Sequence, residues 1–295
     1  MNKLIFRIIS VAFLISNLYL GYSIHQKLSK YQRYKVAYAS ELNFQSSLLD
    51  FKDYINSSEW DNTKKTSRDR LKKLVVAKDK ANTLGFFSLI TLLLFGGFAF
   101  IGFKKFNLSK KQLGIALLHI SLVTLCIGIC VPFLELGAFM QDLEVNGLGI
   151  SKTFDGKMYF FYQCKSALGL IQTLFQGNNY VVGIAILVFS ILSPFTKLFL
   201  YYRHFLLEKN NSNSKLLKIA SYIGKYSMAD VFVAACFLAF LSFNNLNVGV
   251  KTESASLLGL YFFFGYCIVS IGVYYLIEDK KEKNNSELNS LDELI

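Results

Sequence analysis

The chain has 295 residues, of which 53% are hydrophobic and 16% aromatic, with only two prolines and a formal net charge of +12. A composition this apolar excludes an ordinary soluble domain. The positive charge does not point to nucleic acid, because it is spread around the apolar runs rather than gathered on one soluble face.

Six apolar runs approach the roughly 20 residues needed to cross a bilayer. They are Leu4–Ser23, Leu84–Phe103, Leu113–Phe133, Tyr180–Leu200, Met228–Phe243 and Leu257–Ile277. The expected fold class is therefore an all-α polytopic membrane protein with six transmembrane helices. The first run carries Arg7, has a long apolar core and is followed by no A-x-A-like site, so it reads as a retained anchor rather than a secretion signal.

After this anchor, the stretch from His25 to Trp60 contains neither proline nor glycine and spaces its apolar residues at helical intervals. It predicts a helix that continues out of the membrane, a break at Asn56-Ser57-Ser58, and a charged helix over Lys64–Ala81 that returns into the second span. Residues 1–111 thus read as a two-helix membrane anchor with a protruding helical hairpin over residues 24–83. A solvated spacer and a docking or sensing arm are both open roles for it.

Charge sets the expected topology. The connection Lys104–Lys111 has four lysines and no acid, and Tyr201–Lys225 has five cations against Glu208 alone, so both belong to the cytoplasmic side. Leu134–Asn179 has more acids than bases and belongs outside, which places the N and C termini in the cytoplasm. In that outer loop, ISKTFDGKMYFFYQ sets Asp155-Gly156 between two segments rich in aromatic and β-branched residues, a β-hairpin signal. Ser166–Gln176 then places Leu168, Ile171, Leu174 and Phe175 on one helical face, as an interfacial helix or a packed lid would.

The fourth span contains the main anomaly, a proline and a lysine near the end of an apolar run. On a helix, Ser190, Pro194, Lys197 and Tyr201 fall at i, i+4, i+7 and i+11 and share one stripe, with Ser193 and Thr196 nearby. Lipid solvates neither the charge nor the carbonyl that Pro194 frees, so this stripe should face protein. The fifth span opens with GKYSMADVFVAACF, where Asp230 is the one acid within an expected span. Asp230 and Lys197 match in depth and could pair, with Ala234 and Ala235 allowing close helix approach. Ser227 and Asp230 also fit a capping box, and Lys197 could instead snorkel to the headgroups. The candidate intramembrane polar relay is Lys197, Asp230, Ser190, Ser193, Pro194, Thr196 and Ser227. The tail, residues 278–295, mixes both charges with Asn and Ser and is expected to be disordered.

Five cysteines give no disulfide framework, and the Cys126 and Cys130 spacing lacks a second ligand pair for a metal. No G-x-S-x-G, H-E-x-x-H or Walker sequence is present, and His25, His119 and His204 are scattered. The expectation is a protein that is not an enzyme and carries no cofactor or metal.

Three stretches, CVPFLEL with Pro132, FSILSPFTKL over Phe189–Leu198, and KYSMADVFVAA over Lys225–Ala235, give the chain a resemblance to the paraquat-inducible protein A family, to which PqiA and LetA belong. The resemblance covers about Leu113 to Ile277. It implies a four-helix transmembrane unit over residues 112–277 that looks like a tetraspanin-type fold, with the small outer β-hairpin attached. It also implies the bacterial inner (plasma) membrane and a role in moving phospholipid across the cell envelope beside a periplasmic MCE-domain partner. Family members commonly carry two such units and four-cysteine zinc ribbons, whereas this chain has one unit and no C-x-x-C. The alternative function is a membrane scaffold or signalling protein that senses through the outer helical hairpin.

Overall fold

A computed structural model describes residues 3–41, 57–105, 109–147, 150–206, 235 and 251–292. Helix α1 (Lys3–Glu41) runs unbroken for 39 residues, about 58 Å at the α-helical rise and nearly twice the thickness of a hydrocarbon core. Helix α2 (Ser57–Lys105) is longer still, at 49 residues. The two are antiparallel, because Phe13 stacks on Phe95, Asn17 accepts from Ser88 and Thr91, and Lys78 lies over the Tyr31 ring. Helix α2 begins at Ser57, inside the expected break at Asn56-Ser57-Ser58 and ahead of Lys64, where the charged helix was expected to start. On α2 the buried face is a row of small and apolar residues, including Leu74, Ala77, Ala81, Ser88, Leu92 and Phe95. Small side chains in this row let the backbones approach.

Helix α3 (Lys110–Cys130) begins with a capping box in which Ser109 and Gln112 satisfy each other's backbone N–H groups. It ends before Pro132, with Val131 extended at φ −87 and ψ 142, the conformation a following proline favours. Helix α7 (Leu258–Asp292) packs directly on α3. A Cβ on Gly128 would lie 2.7 Å from the backbone nitrogen of Phe263, and one on Gly259 would meet the carbonyls of Val131 and Pro132. These neighbours are backbone and cannot rotate away. Gly128→Ala is expected to push the two helices apart and lower stability by about 1–3 kcal/mol or more. A thermal unfolding midpoint in detergent equal to that of the wild type would contradict this packing.

Between α3 and α7 the chain builds a sheet. Strand β1 (Leu134–Gly147) pairs antiparallel with β2 (Ile150–Lys165) on one edge and with β3 (Lys251–Ser256) on the other. The expected hairpin is present, but its turn is not at Asp155-Gly156. The ladder closes at Gly147↔Ile150, and the register passes from Gln141↔Lys157 to Leu143↔Phe154, so Asp155 and Gly156 together oppose one residue of β1. The same glycine that suggested a turn permits a β-bulge instead. A second shift, at Ala138/Phe139, leaves Phe160 as an extra residue on β2. Strand β3 is an addition that the sequence did not announce.

Helix α4 (Ala167–Gln176) is capped by the Ser166 hydroxyl, which accepts from the N–H of Gly169. Its apolar face is divided: Ile171 is buried and Leu168 exposed. A continuous helical rod follows, made of α5 (Tyr180–Ile186), a π-helical segment (Leu187–Leu192) and α6 (Ser193–Leu206).

Among the described residues, five helices are long and apolar enough to cross a membrane: Ile5–Ser40, Asp69–Lys105, Lys110–Cys130, Tyr180–Leu206 and Leu258–Leu276. The expected sixth span, Met228–Phe243, lies outside the described residues apart from Ala235. The tail, expected to be disordered, is instead helical as far as Asp292, a direct continuation of α7. That segment has no proline or glycine to stop the helix. The sheet and the outer half of the hairpin share one end of the bundle. Lys104, Lys105, Lys110 and Lys111 mark the opposite end.

Candidate functional site

The stripe read from the fourth span faces protein. Ser190, Pro194, Lys197 and Tyr201 are all buried, while Ser193 is half-buried and Thr196 exposed. The Lys197 ammonium donates to the Ser270 hydroxyl at 3.2 Å and lies 5.8 Å from the centre of the Tyr201 ring. Ser270 in turn donates to the carbonyl of Cys267. The hydroxyl of Tyr201 is buried with no hydrogen-bond partner among the described residues. Lys197 is thus seated between α6 and α7, on a polar strip that continues through Tyr266, Ser270 and Tyr274. Those three fall at i, i+4 and i+8 and so share one face of α7. Asp230 and Ser227 lie outside the described residues.

Pro194 has a local explanation. In an α-helix its ring would strike the carbonyl four residues earlier, that of Ser190, and the missing N–H would leave that carbonyl unpaired. The preceding turn is wound as a π-helix over Leu187–Leu192, which widens the backbone where the ring needs room. Thr196 contributes by donating its hydroxyl to the Leu192 carbonyl at 2.8 Å. The proline therefore fixes a widened turn just before Lys197.

A second polar centre, which the sequence reading missed, joins the helical hairpin to the sheet. Along α1 the buried positions Ile24, Leu28, Tyr31, Lys35 and Ala39 form one stripe, in which Lys35 takes the place of an apolar residue. The Lys35 ammonium lies 3.4 Å from Glu135 on β1 and 3.1 Å from Glu253 on β3. Because Glu253 pairs in register with Gly137, the two acids are diagonal neighbours on one face of the sheet. Tyr31, one turn earlier on α1, donates to Glu135 at 2.6 Å, and the Gln32 amide donates to the Cys164 carbonyl at 2.6 Å.

The bulge at Phe160 completes this centre. It shifts the alternation of β2 so that Tyr159 shares a face with Tyr162 and Cys164, and both tyrosine rings then flank the Lys35 ammonium at 5.8 and 5.6 Å. Tyr159 also donates to Glu253. Burial pushes the Tyr159 phenol up to about 12 against the opposing pull of Lys35. Burial, with the Glu135 carboxylate adding to it, pushes the Cys164 thiol up to about 12. Burial likewise raises Tyr162, so these three groups are neutral at physiological pH beside the Lys35 cluster. Glu135 is only 1% exposed, which makes the lysine essential to its charge balance.

Among the described residues, no group of three or more His, Cys, Asp and Glu side chains could hold a metal ion. Cys130 is exposed and Cys126 half-buried, and His25 meets the Cys130 backbone carbonyl rather than its thiol.

Long apolar helices, a buried intramembrane cation and a sheet clamped over one end define a multi-pass membrane protein. Residues 156–279 match the family described as paraquat-inducible protein A, which bears out the family resemblance over that segment. The match includes FSILSPFTKL and KYSMADVFVAA, while CVPFLEL and helices α1 to α3 precede it. No curated protein and no solved structure matches the chain.

Proposed function

We propose that the protein is an inner-membrane component of an envelope lipid-transport system that works with a periplasmic MCE-domain partner on phospholipid. In this reading Lys197, with Asp230 and the hydroxyls of Ser190, Ser193, Thr196 and Ser227, responds to protonation and drives opening between helices. The observation that carries it is a lysine buried between two membrane helices beside a proline-fixed π-turn, a costly arrangement that packing alone does not require. The family match over the same helices supports it. The lysine-rich end of the bundle is then cytoplasmic, as are both termini, and the sheet and hairpin face the partner.

The test is purification of the full chain from native membranes in mild detergent, with mass spectrometry of the proteins and lipids that accompany it. Recovery of an MCE-domain protein together with phospholipid supports the reading. Recovery of neither overturns it. A scaffold or sensor is the second reading, favoured by the docking of the hairpin on the sheet through Lys35. Deleting residues 24–83 separates the two: a transporter keeps basal lipid transfer, whereas a sensor loses its response.

A further inference from the structure

Three cavities lie along the groove between α1 and α3, apart from the seam around Lys197. At the lysine-rich end, a cavity of about 710 Å³ is bounded by Arg7 and Ser10 on α1, Lys110, Lys111 and His119 on α3, and Tyr202 on α6. No carboxylate is among the described residues that line it. Deeper in the bundle lies a cavity of about 310 Å³, and its walls are apolar: Leu14, Leu122, Phe195 and Phe199. His119 and Tyr202 border both, so the two chambers adjoin. Further along the same groove, Leu18, Tyr22 and His25 line a third cavity of about 470 Å³ against Cys126 and Gln172.

We propose that the α1–α3 groove binds an anionic phospholipid, with its phosphate headgroup held among Arg7, Lys110 and Lys111 and an acyl chain lying over Leu14, Leu122 and Phe199. Three properties select this occupant. A chamber that gathers Arg7, Lys110 and Lys111 complements a phosphodiester carrying net negative charge. The adjoining apolar chamber complements hydrocarbon, so a ligand that fills both must be amphipathic. The order along the groove, cations at the membrane edge and apolar walls deeper in, is the order of a lipid in its leaflet. Arg7, the charge that interrupts the first apolar run, thereby acquires a role. The inference rests on the lipid-handling reading and adds a headgroup preference and a place, formed by α1 and α3, which precede the family match, and by Phe199 and Tyr202 of α6 within it.

The experiment uses the full-length protein in mild detergent, titrated with phosphatidylglycerol or phosphatidylcholine and read by native mass spectrometry. Wild type is expected to retain phosphatidylglycerol in preference, and Arg7→Gln combined with Lys111→Gln to weaken that binding about tenfold while leaving phosphatidylcholine unchanged. Leu122→Trp, which fills the apolar chamber, should weaken both lipids. Inorganic phosphate at millimolar concentration should displace neither. Equal binding of the two lipids by wild type, or unchanged phosphatidylglycerol binding in the charge variant, overturns the proposal. Displacement by inorganic phosphate overturns it in favour of a free-anion site. Failure of the transport reading registers separately, as an absence of lipid transfer by the wild-type protein.

Discussion

Lys35→Ala is expected to release the helical hairpin from the sheet. The substitution leaves Glu135, 1% exposed, facing Glu253 with no cation between them. Removing one partner from a buried ionic group costs about 3–5 kcal/mol, because the remaining charge stays desolvated. Two outcomes are available to the molecule: one carboxyl takes up a proton, or the hairpin swings away and water enters. Cys164 reports which occurs, since its thiol is buried beneath α1 and held protonated at neutral pH. In a background where Cys164 is the sole cysteine, maleimide labelling should be slow in the wild type and fast in Lys35→Ala. Adding Glu135→Gln to the lysine variant should restore part of the protection by removing the stranded charge. Equal labelling rates in wild type and Lys35→Ala would sink the idea that this cluster clamps the hairpin.

Lys197→Met is the second large expected effect. Methionine keeps the length and apolar bulk of the side chain while deleting the ammonium that donates to Ser270. A buried cation is a liability to stability, so if packing were its only role the variant should be as stable as wild type or more so. Under the transport reading, the same variant should lose lipid transfer by about tenfold or more. Asp230→Asn should produce a matching loss. A folded Lys197→Met protein that transfers lipid at the wild-type rate would show that the seam is structural. The stability measurement and the transfer measurement together separate a poorly folded variant from an inactive one.

Much of the helical framework was legible in the sequence. The continuation of α1 past Ser23 could be read because a long stretch without proline or glycine leaves a helix no reason to stop. The inward orientation of Ser190, Pro194, Lys197 and Tyr201 followed from one periodicity and the hostility of lipid to charge. Three features were hidden for physical reasons. Strand β3, KTESAS, has no apolar alternation because its place in the sheet is set by backbone pairing with β1, more than a hundred residues away. Asp155-Gly156 signals a need for unusual backbone, which a bulge meets as well as a turn does. In the sequence Lys35 is one of several cations in its stretch, and its two acids lie a hundred or more residues away. Only its position in the stripe Ile24, Leu28, Tyr31 and Ala39 could have marked it.

The clamp around Lys35 also governs the order in which the protein can be assembled. Glu253 follows Lys35 by 218 residues, so at ordinary ribosomal rates the lysine waits about 10–40 s for its second carboxylate to be synthesised. Once β1 has been made, its edge that will receive β3 also stays unpaired until Lys251–Ser256 are synthesised, and an open edge is a template for incorrect partners. The N-terminal anchor is therefore threaded into the membrane early but locked in place last. A chain that terminates before Lys251 retains both unfinished features, and such a product should be a preferred substrate for membrane quality-control proteases.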